Sequence, residues 1–170
     1  MKTTLFLLWI SLASLCVAQE RYVEKAGGFS YVPPAVLPIR RDLPGMKFAF
    51  HFAPPKDAFA ANLNFVDDPV PTDWKTYIQK SVETLQTAAK AEIVEKPAPF
   101  ELGSKIECVR FVYKMSVTGR ETRHICFLIH IKPDSAIVAT FSSLPADGAA
   151  LDEAVAKSIR TFSITPTTAP

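Results

Sequence analysis

The sequence predicts an α+β domain: a central, mainly antiparallel β-sheet with one main helix against each face. Three observations carry this. Residues 105–132, KIECVRFVYKMSVTGRETRHICFLIHIK, form two long runs rich in Val, Ile, Phe, Tyr and Cys around Thr118-Gly119, a composition suited to a pleated, packed surface. Both faces of that hairpin are largely apolar, unlike the one-sided alternation of a sheet backed by solvent. Two amphipathic stretches, residues 74–89 and 149–161, can supply one cover each.

The hairpin register follows from its turn. Gly119 can adopt the positive φ that a tight turn needs. With Thr118 and Gly119 as the central turn residues, Phe111 faces Cys126, Val109 faces Leu128, Tyr113 faces His124 and Met115 faces Thr122. On the other side Val112 meets Ile125, Arg110 meets Phe127, Cys108 meets Ile129 and Ile106 meets Ile131. Cys108 and Cys126 thus fall on opposite faces, whereas a disulfide needs Cβ atoms about 3.5–4.5 Å apart. The register favours two buried thiols acting as small apolar groups. A turn of another length would bring them opposite each other and is the alternative.

The chain has 170 residues. Residues 1–18 begin with Lys2, run through Leu5-Phe6-Leu7-Leu8-Trp9-Ile10 and end in small residues at Ala18. This is the pattern of a secretory signal peptide cut after Ala18. The expectation is an exported protein, periplasmic or secreted, with no stable membrane insertion after cleavage. The apolar run is short for a membrane anchor, and bulky Leu15 precedes Cys16 where a lipoprotein signal has a small residue. Without Lys2 the remainder carries 18 basic against 17 acidic residues. A net charge this small argues against nucleic acid or an anionic membrane as an electrostatically driven partner.

Residues 19–26 are polar and read as a flexible lead-in to a single domain over residues 27–164. Phe29-Ser30-Tyr31-Val32 alternates as a short strand stopped by Pro33-Pro34, and Pro38 and Leu43-Pro44-Gly45 keep the next stretch irregular. Residues 46–52, MKFAFHF, form a second strand, with Phe48, Phe50 and Phe52 on one face and Lys47, Ala49 and His51 on the other. Residues 61–66 form a third, ended by Asp67-Asp68-Pro69. Thr72 or Asp73 caps a helix whose stripe is Trp74, Tyr77, Ile78, Val82, Leu85 and Ala89. Lys75, Gln79, Lys80, Glu83 and Gln86 lie on its opposite side. A short strand at residues 91–96 is ended by Pro97 and Pro99. After the hairpin comes a strand at residues 136–142, which makes a three-strand meander with it, and then a helix at 149–161, whose inner face holds Leu151, Val155, Ile159 and Phe162. Residues 165–170 are expected to be a disordered tail.

These landmarks stand in a recognisable order: Gly27-Gly28-Phe29-Ser30-Tyr31-Val32-Pro33-Pro34, Phe50-His51-Phe52-Ala53-Pro54-Pro55, Asn62-Leu63-Asn64-Phe65-Val66, the helix from Trp74, the Arg110-Phe111-Val112-Tyr113 arm with Gly119, and the final helix. The chain resembles the PsbP-like fold group, especially the small exported bacterial domains of the DcrB-like type. The resemblance covers residues 27–164 and implies an αβα sandwich with a central antiparallel sheet. It also implies a binding or assembly role rather than catalysis, since the group includes lumenal photosystem accessory subunits and envelope proteins. No functional residue of the group can be placed here position by position.

Chemistry offers few candidates. His124, Cys126 and His130 share a strand face. His124 and Cys126 are close enough to chelate one metal ion, at roughly 6.6 Å between same-face neighbours. His130, about 20 Å from His124 at the same rise, cannot join them. The same His124/Cys126 pair is the one candidate for thiol catalysis, which requires an accessible, activated thiolate. No nucleophile elbow, phosphate loop or dinucleotide fingerprint occurs. Arg40-Arg41 and the Arg120 to Arg123 cluster read as solvated loops or as a contact surface for an anionic partner. The loop at residues 54–61, with Phe59 near its middle, reads as a recognition loop or a hydrophobic tuck.

The reading is a non-catalytic exported accessory or binding domain acting through a protein or envelope component, with no catalytic residue, metal or cofactor assigned. The alternatives are a small exported metal-binding protein or enzyme using His124 and Cys126, or a small-ligand carrier with an apolar cavity against the sheet.

Overall fold

The computed structural model describes residues 20–165. The expected leader, residues 1–18, and residues 166–170 of the expected tail lie outside them. The elements are β1 (Tyr22–Glu24), β2 (Phe29–Tyr31), β3 (Ile39–Arg41), β4 (Phe50–Phe52), β5 (Asn62–Pro69), α1 (Trp74–Ala88), β6 (Glu92–Pro99), β7 (Cys108–Val117), β8 (Arg120–Lys132), β9 (Ser135–Ser143), α2 (Gly148–Arg160) and β10 (Ser163–Ile164). Seven strands form one sheet in the order β3-β4-β5-β9-β8-β7-β6, and three form a small one in the order β1-β2-β10. Every pairing is antiparallel.

The hairpin β7–β8 has the register its turn dictates. Phe111 pairs with Cys126, Cys108 with Ile129 and Tyr113 with His124. Thr118 and Gly119 both have positive φ, 50° and 79°, the two-residue turn whose twist matches the strands it joins. Because side chains alternate, the two arms feed two separate cores. Cys108, Val112, Ile125, Phe127 and Ile129 pack with Val155 and Ile159 of α2. Phe111, Tyr113, Cys126 and Leu128 pack with Tyr77 of α1 and the stripe Trp74, Ile78, Val82 and Leu85. Cys108 and Cys126 are free and buried, one in each core.

Asp73 caps α1, its Oδ1 accepting the Thr76 N–H at 3.0 Å. At the other end Lys90 takes φ 55° while the Ala91 N–H reaches back to the Leu85 carbonyl at 3.0 Å. A side chain is disfavoured in this left-handed closing position, which glycine occupies freely. Lys90→Gly is therefore expected to raise stability by about 0.5–1 kcal/mol, read as a higher urea midpoint at unchanged slope.

Several expectations are corrected. The lead-in is not loose: Tyr22–Glu24 is a strand paired to β2, and Arg21 donates to the Thr161 carbonyl at 3.0 Å. Ile39–Arg41 is a strand, not an irregular stretch, and Ser163–Ile164 closes the small sheet. The second strand shortens to Phe50–Phe52 and its inward face is the one carrying His51, which is buried while Phe50 and Phe52 are half-buried. Phe48 lies before the strand and packs on Phe29 at 5.3 Å. Asp67, Asp68 and Pro69 continue β5 rather than end it, and Lys47 pairs with Asp67. Likewise β6 runs through Pro97 to Pro99, with register shifts. It is an edge strand, where a missing outward N–H costs no sheet bond and prolines and charges discourage further pairing.

The small sheet is fastened by rings. Phe29 meets Phe48, Phe65 and Phe162 at 5.3, 5.3 and 5.1 Å. Gly27 lies so close that a Cβ there would come within 2.4 Å of the Phe29 ring.

Candidate functional site

On the α1 side of the large sheet, one row of side chains crosses three strands: Tyr113, His124 and Ser142. The next row holds Phe111, Cys126 and Thr140. His124 and Cys126 do share this face, as expected, but neither is available. The Thr122 hydroxyl donates to the Met115 carbonyl at 3.0 Å. It can then only accept from His124 Nε2–H, which lies 2.8 Å away. His124 Nδ1, 2.9 Å from Ser142 Oγ, is left to accept that hydroxyl. The ring stacks on Tyr113 at 4.7 Å. Burial pushes its pKa down to about 4, and the hydrogen bonds describe a neutral imidazole with no lone pair to spare. Burial, followed by the neighbouring Cys108, pushes the Cys126 thiol well above its ordinary value. Burial alone pushes Cys108 up to about 12. These are the opposite of an activated thiolate.

His130 is separate. It stacks face to face on Trp74 at 4.5 Å and reaches Glu107 through Nδ1 at 3.1 Å. Among the described residues, no group of three or more His, Cys, Asp or Glu side chains is placed to hold a metal ion.

The basic clusters divide. Arg123 is mostly buried and lies 2.7 Å from Asp152 of α2, so it clamps the helix to the sheet. Arg40 pairs with Asp42 at 2.9 Å and lies over the Tyr22 ring. Arg120 donates to the Asp57 carbonyl, tying the hairpin tip to the loop at residues 54–61. That loop is itself a small closed turn, with Lys56 and Phe59 exchanging backbone bonds at 2.8 and 2.9 Å. Lys56 also pairs with Asp147 at 2.7 Å. Phe59 is half-buried, so the loop is pinned at three points while its tip stays exposed.

Two concavities flank α1. A groove of about 640 Å³ runs along residues 99–109 beside Trp74. A cleft of about 530 Å³ opens between α1 and the sheet. Its floor is Phe111, Tyr113, Cys126, Leu128, Val138 and Thr140, and its wall is Tyr77, Lys80, Ser81, Thr84 and Leu85. At one end Tyr77 donates to Asp68 at 2.7 Å. Sequence periodicity put Lys80 on the solvent side of α1 and gave no role to Ser81, Thr84 or Thr140. The available signal was small, hydroxyl-bearing residues flanking the apolar stripe.

No known protein-family profile matches the chain, and no curated protein matches it. Solved structures do. The solution structure of cyanobacterial PsbP from Synechocystis sp. PCC 6803 superposes with a TM-score of 0.62 at 12% identity, covering 91% of this chain and 97% of that one. LpqN, involved in cell envelope biogenesis of Mycobacterium tuberculosis, gives 0.60 at 11% identity, over 82% of this chain and 79% of its own. A Pseudomonas aeruginosa protein of unknown function gives 0.60 at 17% identity, over 69% and 83%. At these identities the likeness establishes the fold: an α+β, PsbP-like sandwich around an antiparallel sheet.

Proposed function

We propose that the chain is a non-catalytic exported binding domain that acts through contacts with a protein or an envelope component. The observation that carries this reading is the state of its most reactive pair. His124 spends both ring nitrogens on Thr122 and Ser142, and Cys126 is a buried, protonated thiol. The likeness to LpqN and to PsbP supports the same reading, as does the expected leader. No described helix is long and apolar enough to cross a membrane.

The contact surface is the end of the sheet where the hairpin tip meets the loop at residues 54–61. Val117 is exposed there, and the ties from Arg120 and Lys56 hold the loop in one shape before any partner arrives. Such preorganisation lowers the entropy lost on binding. The test is a photo-cross-linking survey in the native host with the reactive group at position 117. Repeated capture of the same envelope or protein component is expected. A chain that stays alone, together with a turnover activity that Cys126→Ala abolishes, would overturn the proposal.

A further inference from the structure

The cleft beside α1 exists because the helix sits off-centre. Its large apolar residues, Trp74, Ile78, Val82 and Leu85, join the core that contains Phe111, Tyr113 and Ile93. Facing the cleft the helix presents Ser81 and Thr84 between Tyr77 and Leu85, and the sheet presents Cys126 and Thr140 beside Leu128 and Val138. Leucine or phenylalanine at such positions would close the gap, and small residues leave it open. Beyond it the sheet face continues uncovered, with Val66 at 40% exposure.

The chemistry of the cleft is lopsided. Its floor is apolar apart from Thr140, its helical wall carries the hydroxyls of Thr84 and of Ser81, the latter donated to the Tyr77 carbonyl at 2.8 Å, and its volume of about 530 Å³ lies in the range of small-molecule sites. One cation stands at the lip, Lys80, which is exposed and makes no ion pair among the described residues. The one carboxylate of the lining, Asp68, already receives the Tyr77 hydroxyl.

We propose that this cleft binds a small amphiphile with a single apolar chain and an anionic head, the chain lying along Val138 and Leu85 and the head at the Lys80 ammonium. The site is distinct from the contact surface at the hairpin tip, so ligand and partner can each fail without the other.

Decanoate, below its micelle concentration, is the probe, with decanol as its uncharged counterpart. The full chain as its host processes it is purified for calorimetric titration. One decanoate per chain is expected to bind saturably. Lys80→Glu weakens decanoate at least tenfold while leaving decanol unchanged. Ser81→Phe and Thr140→Leu, which fill the cleft, abolish binding of both while the melting temperature holds or rises. Because one filling variant acts from the helix and the other from the sheet, misfolding of one leaves the other to decide. Absence of decanoate binding to the wild type, or equal loss of decanoate and decanol in Lys80→Glu, would overturn the proposal. So would self-association in sedimentation that the filling variants abolish, since the cleft would then be an interface between two copies.

Discussion

Lowering the pH from 6.5 to about 4.5 is expected to destabilise the protein by several kcal/mol, most of it from two histidines. His51 and His124 are both buried, and burial pushes each pKa down to about 4. For His51 the Arg40 guanidinium adds to the depression and the Leu37 carbonyl opposes it. The unfolded chain binds a proton at each near pH 6.5, so over this window it holds more protons than the folded chain. Stability is then complete above pH 6.5 and is lost as pH falls toward 4. Each histidine accounts for about 2–3 kcal/mol by pH 4.5. His51 is enclosed by the rings of Tyr22 and Tyr31 at 5.9 and 5.7 Å, and its Nε2 has no hydrogen-bond partner among the described residues. His124→Gln can keep both hydroxyl partners, and His51→Gln removes the second titrating group. Urea midpoints measured from pH 7.5 to 4.5 should show about half the loss in each single variant. The double variant should be nearly flat. Undiminished loss in the double variant would place the acid sensitivity elsewhere.

Removing the ring of Phe29 is expected to cost about 3–5 kcal/mol, the range for a fully buried phenylalanine truncated to alanine. The ring is 1% exposed. It also stacks on Phe162, just past α2, and meets Phe65 on β5 and Phe48 before β4. It therefore joins the small sheet, the large sheet and the α2 terminus at one point. Phe29→Leu, which keeps most of the volume, should lose clearly less than Phe29→Ala. Hydrogen exchange should show protection falling first in β1, β2 and β10 of the alanine variant. Equal protection across the large and small sheets would mean that the rings are not the fastening.

The sequence was legible where pattern and turn chemistry act together. The β7–β8 register could be written down because Thr118-Gly119 sets the turn and the arms alternate cleanly. Its two apolar faces then required two covers, and the stripes of α1 and α2 supplied them. The misses share a different cause. Tyr22–Glu24, Ile39–Arg41 and Ser163–Ile164 are two or three residues long, too short to show a period, and they owe their extended form to distant partners. Asp67 and Asp68 read as a turn because two adjacent acids before a proline favour one. In the fold, Asp67 is paired by Lys47 and Asp68 by Tyr77, which lets the strand run on.

The site follows the same division. That His124 and Cys126 share a face was readable from strand alternation, but that Ser142 closes the imidazole was not. That contact depends on the register between β8 and β9, which sets Ser142 opposite His124. The cleft was less accessible still. Helical periodicity identifies which side of α1 is apolar, yet the gap arises from where the helix rests across the sheet.

The most direct test of the claim that the His124/Cys126 row is structure rather than chemistry is the labelling rate of the two thiols in the native protein. Both thiols should be modified only as fast as the chain unfolds. Their rates should rise together with urea along the global unfolding curve, with no fast phase in native buffer. Rapid native labelling of Cys126, half-maximal near pH 7 and slowed by His124→Gln, would reveal an accessible, histidine-activated thiolate and contradict the account.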